Sequence, residues 1–399
     1  MGYGTVGTGV VKVLEANKEL ISGRVGEEVN VKHVLDLRDF PGDPIQEKIT
    51  HDFDELLNDE DVKIVVEVMG GIEPANTFVE KCLQAGKHVV TSNKALVAQH
   101  GAKLLSIAKE NNVKFLFEAS VGGGIPIIRP LSTSLTGDDI VEIVGILNGT
   151  TNYMMTKMFY EGANYDKVLK EAQDNGYAEA DPSADVEGHD ACRKIAILCS
   201  VITGLRVNFG DIHTEGITKI SVEDMQYAKA EGMTIKLLAM AKKNEFGVKA
   251  IVAPFLLKET HPLYSVNDVF NAIFVRGNML GDAMFYGSGA GELPTASAVV
   301  GDIVEAAFNA SKSMVANWTE EELELRNNGE VGRTFFVRIK GDQEALREAL
   351  KNSFGATKFV AVDGLNDEFG FFTTKMKEAL YQEKASAFSG IIGRIRVEV

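Results

Sequence analysis

The residues with the clearest chemical potential lie in one stretch of the chain, between Gly176 and Lys194. Pro182 ends any upstream helix, because its ring fixes φ and removes a hydrogen-bond donor. Gly188 then interrupts the chain, and the apolar residues that follow predict a helix from His189 to Leu198. The sequence thus predicts an acidic loop that leads into a helix. The acidic residues of the two are Glu179, Asp181, Asp185, Glu187 and Asp190, and Lys194 follows on the helix.

Asp190 and Lys194 stand four positions apart on that helix, which places both side chains on one face, roughly 5–6 Å apart at Cβ. A carboxylate beside a lysine, at the mouth of an acidic loop, suits proton transfer to a small polar substrate. The same pair also has an ordinary interpretation, as a surface ion pair at the start of a core helix. The rest of the chain is needed to choose between the two.

Composition limits the classes of protein. A hydrophobic fraction of 45% and a charged fraction of 25% predict a globular protein, and 399 residues are enough for two or three domains. The net charge of −16 argues against nucleic acid and membrane surfaces as partners, since both favour basic proteins. Cys82, Cys192 and Cys199 match no metal-ligand spacing, which indicates buried thiols and a cytoplasmic protein. No apolar run has transmembrane length, and no signal peptide opens the chain.

The amino terminus carries the pattern G-x-G-x-x-G, followed by the apolar residues of a helix. Glycines at these positions let the backbone approach a pyrophosphate, and a helix N-terminus favours its charge. A strand is predicted from Val29 to Asp36, after which Asp36 or Arg38 would select the coenzyme. Nothing precedes Met1, so the first strand of the sheet is expected to be missing. The coenzyme loop itself comprises Gly2, Gly4, Thr5, Val6 and Gly7.

Strands and helices then alternate, which predicts a doubly wound parallel sheet of the Rossmann type and an α/β fold class. The predicted strands cover 63–69, 88–91 and 114–118, and the helices between them cover 74–85 and 95–111. Ligands of such sheets lie beyond the carboxyl ends of the strands. The residues at those ends are Met69, Gly70, Ser92, Lys94 and Glu118. For Lys94 the alternative is an ordinary solvated loop lysine.

Two glycine-rich turns flank a second block of the chain. Three glycines follow Val121 and bare the backbone, so that carbonyl oxygens can converge on a ligand or cation; a crossover between domains fits them equally well. The second turn, 286–291, contains Gly289 and precedes a helix predicted from 294 to about 310. A polar turn from Asn148 to Asn152 is predicted to cap a helix. The block also contains predicted strands at 140–147, 248–255 and 270–275, and an amphipathic helix at 222–241.

The end of the chain follows the order β-α-β-β-α-β, which is typical of a ferredoxin-like unit. Its strands are predicted at 333–340, 357–362, 370–374 and 393–399, with helices at 342–353 and 377–387. Four segments are therefore expected. They are a coenzyme domain of residues 1–130 with a closing helix at 294–315, a substrate-binding and dimerisation domain at 131–293, a linker at 316–332, and the ferredoxin-like unit at 333–399.

The order of these motifs resembles that of the homoserine dehydrogenase family over nearly the whole chain. Residues 172–194 carry Ala, Gly-Tyr, Asp-Pro, Asp-Val, Gly, Asp and Lys at the family's spacing. The blocks that begin at Ser92, Glu118 and Ile146 also look like the family's, in the family's order. The resemblance implies reduction of L-aspartate 4-semialdehyde to L-homoserine, and the reverse, with NADPH or NADH. This reaction serves threonine, methionine and isoleucine biosynthesis.

The resemblance also implies catalytic roles. Lys194 matches the family's catalytic lysine, which donates a proton to the aldehyde oxygen, and Asp190 would orient it by a charge-assisted hydrogen bond. Lys94 matches a lysine that contacts both coenzyme and substrate. Glu179 would hold the ammonium group of the substrate, with Asp185 as a second acidic partner. The turn at 148–151 and the two lysines would bind its carboxylate. The expected substrate site also includes Tyr177 and Thr150, and the coenzyme site includes Gly289.

Bound ions and the coenzyme follow from the same resemblance. Glu118, with the carbonyls of Val121, Gly123 and Ile125, resembles the family's site for a monovalent cation, usually sodium, and oxygen ligands fit such a hard cation. At the end of the second strand the family more often has an arginine, so Arg38 favours NADP, while NAD remains the alternative.

The C-terminal unit resembles an ACT domain, which would sense threonine. The usual Pro-Gly-Val-Leu-like turn is replaced by Gly341-Asp342-Gln343-Glu344-Ala345-Leu346, so a purely dimerising role is equally compatible with the sequence. A homodimer or homotetramer is expected from the family.

Two other functions need to be weighed against the dehydrogenase. An enzyme such as aspartate semialdehyde dehydrogenase needs a cysteine nucleophile in a polar loop, whereas all three cysteines lie on apolar helical stretches. Alternatively, a chain without its first strand would be a catalytically impaired homologue that acts as an amino-acid sensor or dimerisation module. The complete catalytic segment favours the dehydrogenase.

Overall fold

A computed structural model of the chain describes residues 1–308 and 316–398. The chain divides into two compact units. The first unit comprises Met1–Ile140, Arg193–Phe209 and Arg276–Leu323. The second unit comprises Val141–Cys192, Gly210–Val275 and Glu324–Val399. Within the described residues, no helix has the length and apolar character needed to cross a membrane.

The helices agree with the predicted positions for most of the chain. The predicted closing helix at 294–315 corresponds to the helix that ends at Phe308, and its predicted residues 309–315 lie outside the described residues. The α-helices are α1 (Thr5–Ala16), α2 (Lys18–Val25), α3 (Phe53–Asn58), α4 (Ala75–Gln84), α5 (Lys94–Glu110), α6 (Gly149–Glu161), α7 (Tyr165–Asp174), α8 (Ser183–Val186), α9 (His189–Thr203), α10 (Val222–Ala230), α11 (Glu292–Phe308), α12 (Gln343–Phe354) and α13 (Glu378–Ala385).

The strands include several that the sequence did not predict, among them β12. The predicted final residue of the last strand, Val399, lies outside the described residues. The strands are β1 (Val34–Leu35), β2 (Ile49–Thr50), β3 (Ile64–Glu67), β4 (His88–Thr91), β5 (Phe115–Leu116), β6 (Ile140–Ile146), β7 (Leu205–Arg206), β8 (His213–Thr214), β9 (Met233–Asn244), β10 (Gly247–Lys258), β11 (Phe270–Gly277), β12 (Gly281–Ser288), β13 (Thr319–Glu322), β14 (Gly332–Lys340), β15 (Lys358–Val360), β16 (Glu368–Phe372), β17 (Met376–Lys377) and β18 (Ile391–Glu398).

The first unit has the predicted parallel α/β arrangement. Strands β3, β4 and β5 form one parallel sheet, and β1 and β2 form a second parallel pair. The first two residues of the chain lie between these pieces: the Met1 amine donates to the carbonyl of Val66 at 2.7 Å, and the Gly2 N–H donates to the carbonyl of Leu35 at 2.8 Å. The Met1 carbonyl in turn accepts from Val68 N at 3.0 Å. Residues 1–2 thus take the position of a short central strand.

A cavity of about 540 Å³ lies beside Met1 in this unit. Its walls are mainly apolar and include Val29, Val31, Ile64 and Val66. The strand predicted from Val29 to Asp36 is wrong in its extent, because only Val34 and Leu35 are in a strand. Residues 29–33 border the cavity, and no strand among residues 1–308 and 316–398 lies on that side to hydrogen-bond with them.

One long sheet organises the second unit. Its strand order is β11-β6-β9-β10-β18-β14-β16-β15, and β8 pairs with the edge of β10. Strands β9 and β10 pair antiparallel over their whole length, from Met233 with Lys258 to Asn244 with Gly247. Their buried side chains, such as Leu238, Ile251 and Phe255, form the core of the unit.

The predicted amphipathic helix at 222–241 is wrong in its second half. The helix α10 ends at Ala230, Gly232 adopts the left-handed conformation with φ +65°, and residues from Met233 onward form β9. Most of β9 is buried, and a strand covered on both faces has the continuous apolar sequence that also suits a buried helix.

The C-terminal part of the second unit has the predicted order of elements, from β14 through α12, β15, β16 and α13 to β18. Strand β18 pairs antiparallel with β14 and parallel with β10, so this part continues the main sheet. The predicted linker at 316–332 contains one strand, β13, which pairs with β7 in the first unit.

Gly101 provides a test of packing in the first unit. A Cβ at this position of α5 would lie 2.4 Å from the ring of Trp318, so Gly101→Ala forces the indole to move and is expected to cost about 1–3 kcal/mol. Gly23, on α2, has no atom within 4 Å of such a Cβ, and Gly23→Ala is expected to be neutral or to stabilise by up to about 1 kcal/mol. Urea unfolding of both variants measures the difference, and equal midpoints would contradict the packing.

Candidate active site

The glycine-rich amino terminus forms a tight turn at the start of α1. Gly4 is the N-cap residue of this helix, and a Cβ on Gly4 would meet no atom within 4 Å. Gly2 has φ +91°, and a Cβ on Gly7 would lie only 2.3 Å from the carbonyl oxygen of Gly2. The turn therefore needs glycine for its conformation and leaves open space in front of the helix N-terminus. These features fit a pyrophosphate group, which binds backbone N–H groups and the positive end of a helix.

Asp36 and Arg38 form an ion pair directly after β1. The Asp36 carboxylate accepts from Tyr3 N at 2.7 Å, and from the backbone N–H and Nε of Arg38, both at 3.0 Å. The hydrogen bond from the Arg38 side chain holds the pKa of Asp36 well below its usual range. The Arg38 side chain is 60% exposed and lies over the ring of Phe40. Its guanidinium group is therefore accessible from solvent.

The carboxyl ends of β3 and β4 are tied together by a buried glutamate that the sequence analysis missed. Glu67 accepts from the Thr91 hydroxyl at 2.6 Å and from Met69 N at 2.8 Å. The Asn93 side chain donates to the carbonyl of Gly71 and caps α5. Lys94 is the first residue of that helix and is half-buried, as Ser92 is. A glutamate inside the apolar run at 64–68 was the available signal.

A second buried carboxylate closes the segment after β5. The side chain of Glu118 accepts three backbone hydrogen bonds, from Ile127, Ile128 and Arg129, at 2.5–2.8 Å. Asp302 on α11 accepts from Glu118 N at 2.8 Å and from the Arg129 guanidinium. Burial raises the pKa of Asp302 to about 7. The Glu118 carboxylate thus holds the glycine-rich turn in a closed loop.

The two glycine-rich turns of the first unit are in contact. Gly124 N donates to the carbonyl of Ser288 at 3.1 Å, and a Cβ on Gly123 would lie 2.2 Å from the carbonyl oxygen of Gly289. A Cβ on Gly122 would lie 2.2 Å from the carbonyl oxygen of Ile125. The sequence analysis singled out both turns without predicting that they meet.

In the second unit, the side-chain amide of Asn148 binds two carboxylates from the stretch 176–194. The Asn148 side-chain nitrogen donates to Asp185 at 2.7 Å and to Asp190 at 3.0 Å. Its oxygen accepts from Thr151 N at 2.9 Å, which confirms the predicted cap of α6. Asn148 is itself buried. The structure therefore brings together a predicted polar turn and two predicted acidic residues that lie 37 and 42 positions away in sequence.

The rest of the acidic loop is fixed mainly through its backbone. The Thr150 hydroxyl donates to the carbonyl of Tyr177 at 2.6 Å, and the Gln173 amide donates to the carbonyl of Glu179 at 3.1 Å. The side chains of Tyr177 and Glu179 are exposed. One part of the predicted loop, Ser183–Val186, is instead the short helix α8. Pro182 is its N-cap residue, and the backbone carbonyl of Pro182 accepts a hydrogen bond from Val186 N.

Helix α9 begins at His189, after Gly188 in the left-handed conformation with φ +85°. Asp190 and Lys194 are 3% and 8% exposed, respectively. An ordinary surface ion pair is therefore ruled out for these two residues, since both charged groups are buried on one turn of helix.

The cysteines do not have the properties of a nucleophile. All three are buried and free of disulfides. Burial raises the pKa of Cys82 to about 12, and it does the same for Cys199. A thiol with such a pKa stays protonated and unreactive at neutral pH, which argues against an enzyme with a cysteine nucleophile.

Comparison with known proteins shows the family to which this chain is similar. The family model described as "Homoserine dehydrogenase, NAD binding domain" matches residues 2–118, and the model described as "Homoserine dehydrogenase" matches residues 126–304. Homoserine dehydrogenase of Bacillus subtilis is 42% identical over 349 residues, which cover 85% of this chain and 80% of that protein.

Solved structures agree as well. The crystal structure of a homoserine dehydrogenase from Thiobacillus denitrificans has a TM-score of 0.91 and 34% identity, and the match covers 100% of this chain and 96% of that one. A hyperthermophilic archaeal homoserine dehydrogenase in complex with NADPH has a TM-score of 0.66 and 31% identity, over 76% of this chain and 95% of that one.

The fold, the glycine turn before α1 and these matches define an NAD(P)-dependent oxidoreductase that uses a nicotinamide coenzyme. The acidic segment and α9 lie within the region that matches the second family model. The chain belongs to the homoserine dehydrogenase family, and its function is that of a homoserine dehydrogenase.

Asn148 can be tested against a second capping asparagine. Asn164 caps α7 by accepting from Lys167 N at 2.9 Å and is exposed, so Asn164→Ala should cost about 1 kcal/mol of unfolding free energy. Asn148→Ala loses a similar cap and also both hydrogen bonds to carboxylates, each typically about 1.5–3 kcal/mol. We expect a clearly larger loss for Asn148→Ala in chemical denaturation. Equal losses for the two variants would show that the bridge between the carboxylates does not contribute.

Proposed function

We propose that the chain reduces L-aspartate 4-semialdehyde to L-homoserine with Lys194 as the proton donor. The observation that carries this proposal is the buried pair on α9, Asp190 and Lys194, with Asp190 held by the Asn148 amide. The nicotinamide coenzyme, when bound, supplies the hydride to the aldehyde carbon. The Lys194 ammonium then gives one proton to the aldehyde oxygen, and the product is the alcohol. Lys94 is proposed to stabilise the developing negative charge on that oxygen.

We propose further that the acidic loop recognises the amino group of the substrate. Glu179 presents an exposed carboxylate, and the half-buried Asp185 adds a second one. A substrate ammonium group needs such acceptors, whereas a simple aldehyde does not. Thr150 supports the proposed substrate site by fixing the backbone of Tyr177.

The coenzyme is proposed to be NADP rather than NAD. Support comes from the exposed guanidinium of Arg38, since a planar guanidinium pairs well with a phosphate on the adenosine ribose. Asp36, by contrast, already accepts from Tyr3 N and Arg38, which leaves it less suited to a ribose hydroxyl.

A monovalent cation, expected to be sodium, is proposed at the glycine-rich turn. The candidate ligands are Glu118 and the carbonyls of Val121, Gly123 and Ile125. Because both carboxylate oxygens of Glu118 already accept backbone hydrogen bonds, we expect the carbonyl groups to provide most of the coordination. Replacing sodium with choline in the assay should lower activity, and unchanged activity would contradict the proposal.

The C-terminal β-α-β-β-α-β part is proposed to be an ACT-like regulatory domain, and the protein a cytoplasmic homodimer or homotetramer. The order of its elements supports the first statement. Titration calorimetry with threonine and light scattering test the two proposals; absence of binding favours a dimerising role, and a monomer contradicts the second.

The cavity beside Met1 is proposed to accept one more parallel strand. In support, the Met1 amine is buried at its edge, and Val66 already bonds to Met1 in the pattern of a parallel pair. An apolar strand of about six residues added before Met1 should raise the thermal midpoint of the chain. An unchanged midpoint would contradict this proposal.

Lys194→Ala tests the proton donor. We expect turnover of NADPH with aspartate 4-semialdehyde to fall by about 10²–10⁴, while NADPH binding is retained. The matched control is Lys87→Ala, which also removes a buried lysine of the first unit. Lys87 precedes β4 and donates to the backbone carbonyls of Asp59 and Val62. Turnover that survives in Lys194→Ala would exclude this lysine as the donor.

Arg38→Ala tests the coenzyme. Loss of a guanidinium–phosphate contact should raise KM for NADPH by about tenfold or more and leave KM for NADH unchanged. Arg24→Ala, which removes an arginine from the last turn of α2, serves as the control. Equal catalytic efficiency of the wild-type protein with NADH and NADPH would disprove the preference for NADP.

A further inference from the structure

A buried arginine on the last strand, Arg396, binds two carboxylates at once in the second unit. Its Nη1 and Nη2 atoms donate to the two oxygens of Glu215, each at 2.8 Å. Its Nε donates to Glu378 at 3.1 Å, and Nη2 also bonds to the same carboxylate. Arg396 is 1% exposed and Glu378 is fully buried. The arrangement is a pair of bidentate bonds, the geometry in which a guanidinium binds carboxylates most strongly.

Further charged residues complete this cluster. Arg394, also on β18, donates to Glu215 at 3.0 Å, and Arg333 on β14 lies 3.5 Å from Glu378. Burial alone would raise the pKa of Glu215, but hydrogen bonds from Arg396 and His213 bring that pKa well below its usual range. A ring nitrogen of His213 and carboxylate oxygens of Glu215 and Glu378 lie close enough together to hold a metal ion, yet guanidinium groups already bind both carboxylates. The cluster is an ion-pair network.

The main sheet explains why these residues meet. Strands β8 and β18 pair parallel with different parts of β10. His213 and Thr214 of β8 lie opposite Ile251 and Val252, while Arg396 lies opposite Phe255. Glu215 follows β8 directly, so its carboxylate reaches the arginines of the last strand. A residue more than 180 positions from Arg396 in sequence is thus fixed by it.

The residues on either side of Glu215 contact the backbone of the acidic loop, which is the proposed substrate-binding loop. Ile217 N donates to the carbonyl of Val186 at 2.8 Å. A Cβ on Gly216 would lie 2.0 Å from that carbonyl oxygen, so the two backbones are in direct contact. On the other side of Glu215, Thr214 lies next to Gly188, the residue that precedes α9.

These contacts connect the C-terminal strand with the acidic segment. Val186 follows Asp185 immediately in sequence, and Gly188 stands two positions before Asp190. The segment 214–217 therefore contacts the backbone between the two carboxylates that Asn148 holds. If the charge on Arg396 were removed, Glu215 would lose its bidentate partner and keep only Arg394 and His213, so its half-buried carboxylate would be free to shift towards water.

We infer that Glu215 is a positioning residue for the substrate site, and that Arg396 of the last strand sets its position. Through this contact the C-terminal part of the second unit helps to fix the position of the acidic loop, whether or not an effector is bound. The inference rests on the proposed role of that loop in binding the amino group of the substrate.

Arg396→Met and Glu215→Gln test the inference, with Arg338→Met as the matched control. Arg338 lies on β14 of the same C-terminal part, is similarly buried, and bonds to two carboxylates, Asp224 and Glu368. Its partners make none of the contacts to the substrate loop described above. Steady-state kinetics with varied aspartate 4-semialdehyde and varied NADPH, together with thermal midpoints, separate loss of positioning from loss of stability.

We expect both test variants to raise KM for aspartate 4-semialdehyde by about tenfold, since small displacements of a binding group are costly, and to leave KM for NADPH unchanged. The double variant should be no worse than Arg396→Met, because the two residues act through one contact. Arg338→Met should lower the thermal midpoint without changing KM for the aldehyde. Glu215→Gln, an isosteric change at a half-buried residue, keeps the test valid if Arg396→Met does not fold.

Unchanged KM for the aldehyde in Glu215→Gln, or an equal rise in Arg338→Met, would overturn the inference. Glu179→Gln distinguishes this failure from failure of the proposed function. If Glu179→Gln raises KM for the aldehyde while Glu215→Gln does not, the loop binds substrate but is not positioned by the last strand. If Glu179→Gln also leaves KM unchanged, the proposed role of the loop is wrong as well.

Discussion

The arrangement of the acidic segment depends on how two carboxylates are kept close together. Asp185 and Asp190 would repel each other, and burial of Asp190 adds the cost of removing a charge from water. The Asn148 amide offsets both effects by donating one N–H to each. Asn148 is also the N-cap of α6, so the start of this helix fixes the position of the two carboxylates. The acidic loop owes its form to this amide, and the bond from Thr150 to the loop backbone extends the same support.

In the first unit the corresponding constraint is the close approach of backbones. Gly7 allows contact with Gly2, and Gly123 allows contact with the turn at Gly289. A buried carboxylate accompanies each region, Glu67 at the ends of β3 and β4, and Glu118 after β5. Backbone N–H groups and the Thr91 hydroxyl satisfy these carboxylates, which fixes the loops at the ends of the strands. A sheet of this type binds a dinucleotide at the carboxyl ends of its strands.

Local patterns predicted much of this from the sequence. The cap at Asn148, the helix after Gly188 and the parallel strands of the first unit follow from rules that act over a few residues. The strand β9 was missed because a strand buried on both faces has no alternation to reveal it. The short extent of β1 and the Arg396–Glu215 contact both depend on which strands lie side by side, and strand order has no local signature in the sequence. The sequence therefore predicted the candidate catalytic residues, but it did not predict the distant residues, such as Glu67 and Arg396, that hold the surrounding loops in place.

The central claim is that the acidic loop recognises the amino group of the substrate. It is tested most directly by comparing L-aspartate 4-semialdehyde with 4-oxobutanoate, the same aldehyde without the amino group, in the wild type and in Glu179→Gln. We predict that the wild type prefers the amino substrate in kcat/KM by at least about tenfold, as expected for a hydrogen bond between charged groups, and that Glu179→Gln loses most of this preference. A preference that is absent in the wild type, or unchanged in the variant, would contradict the account.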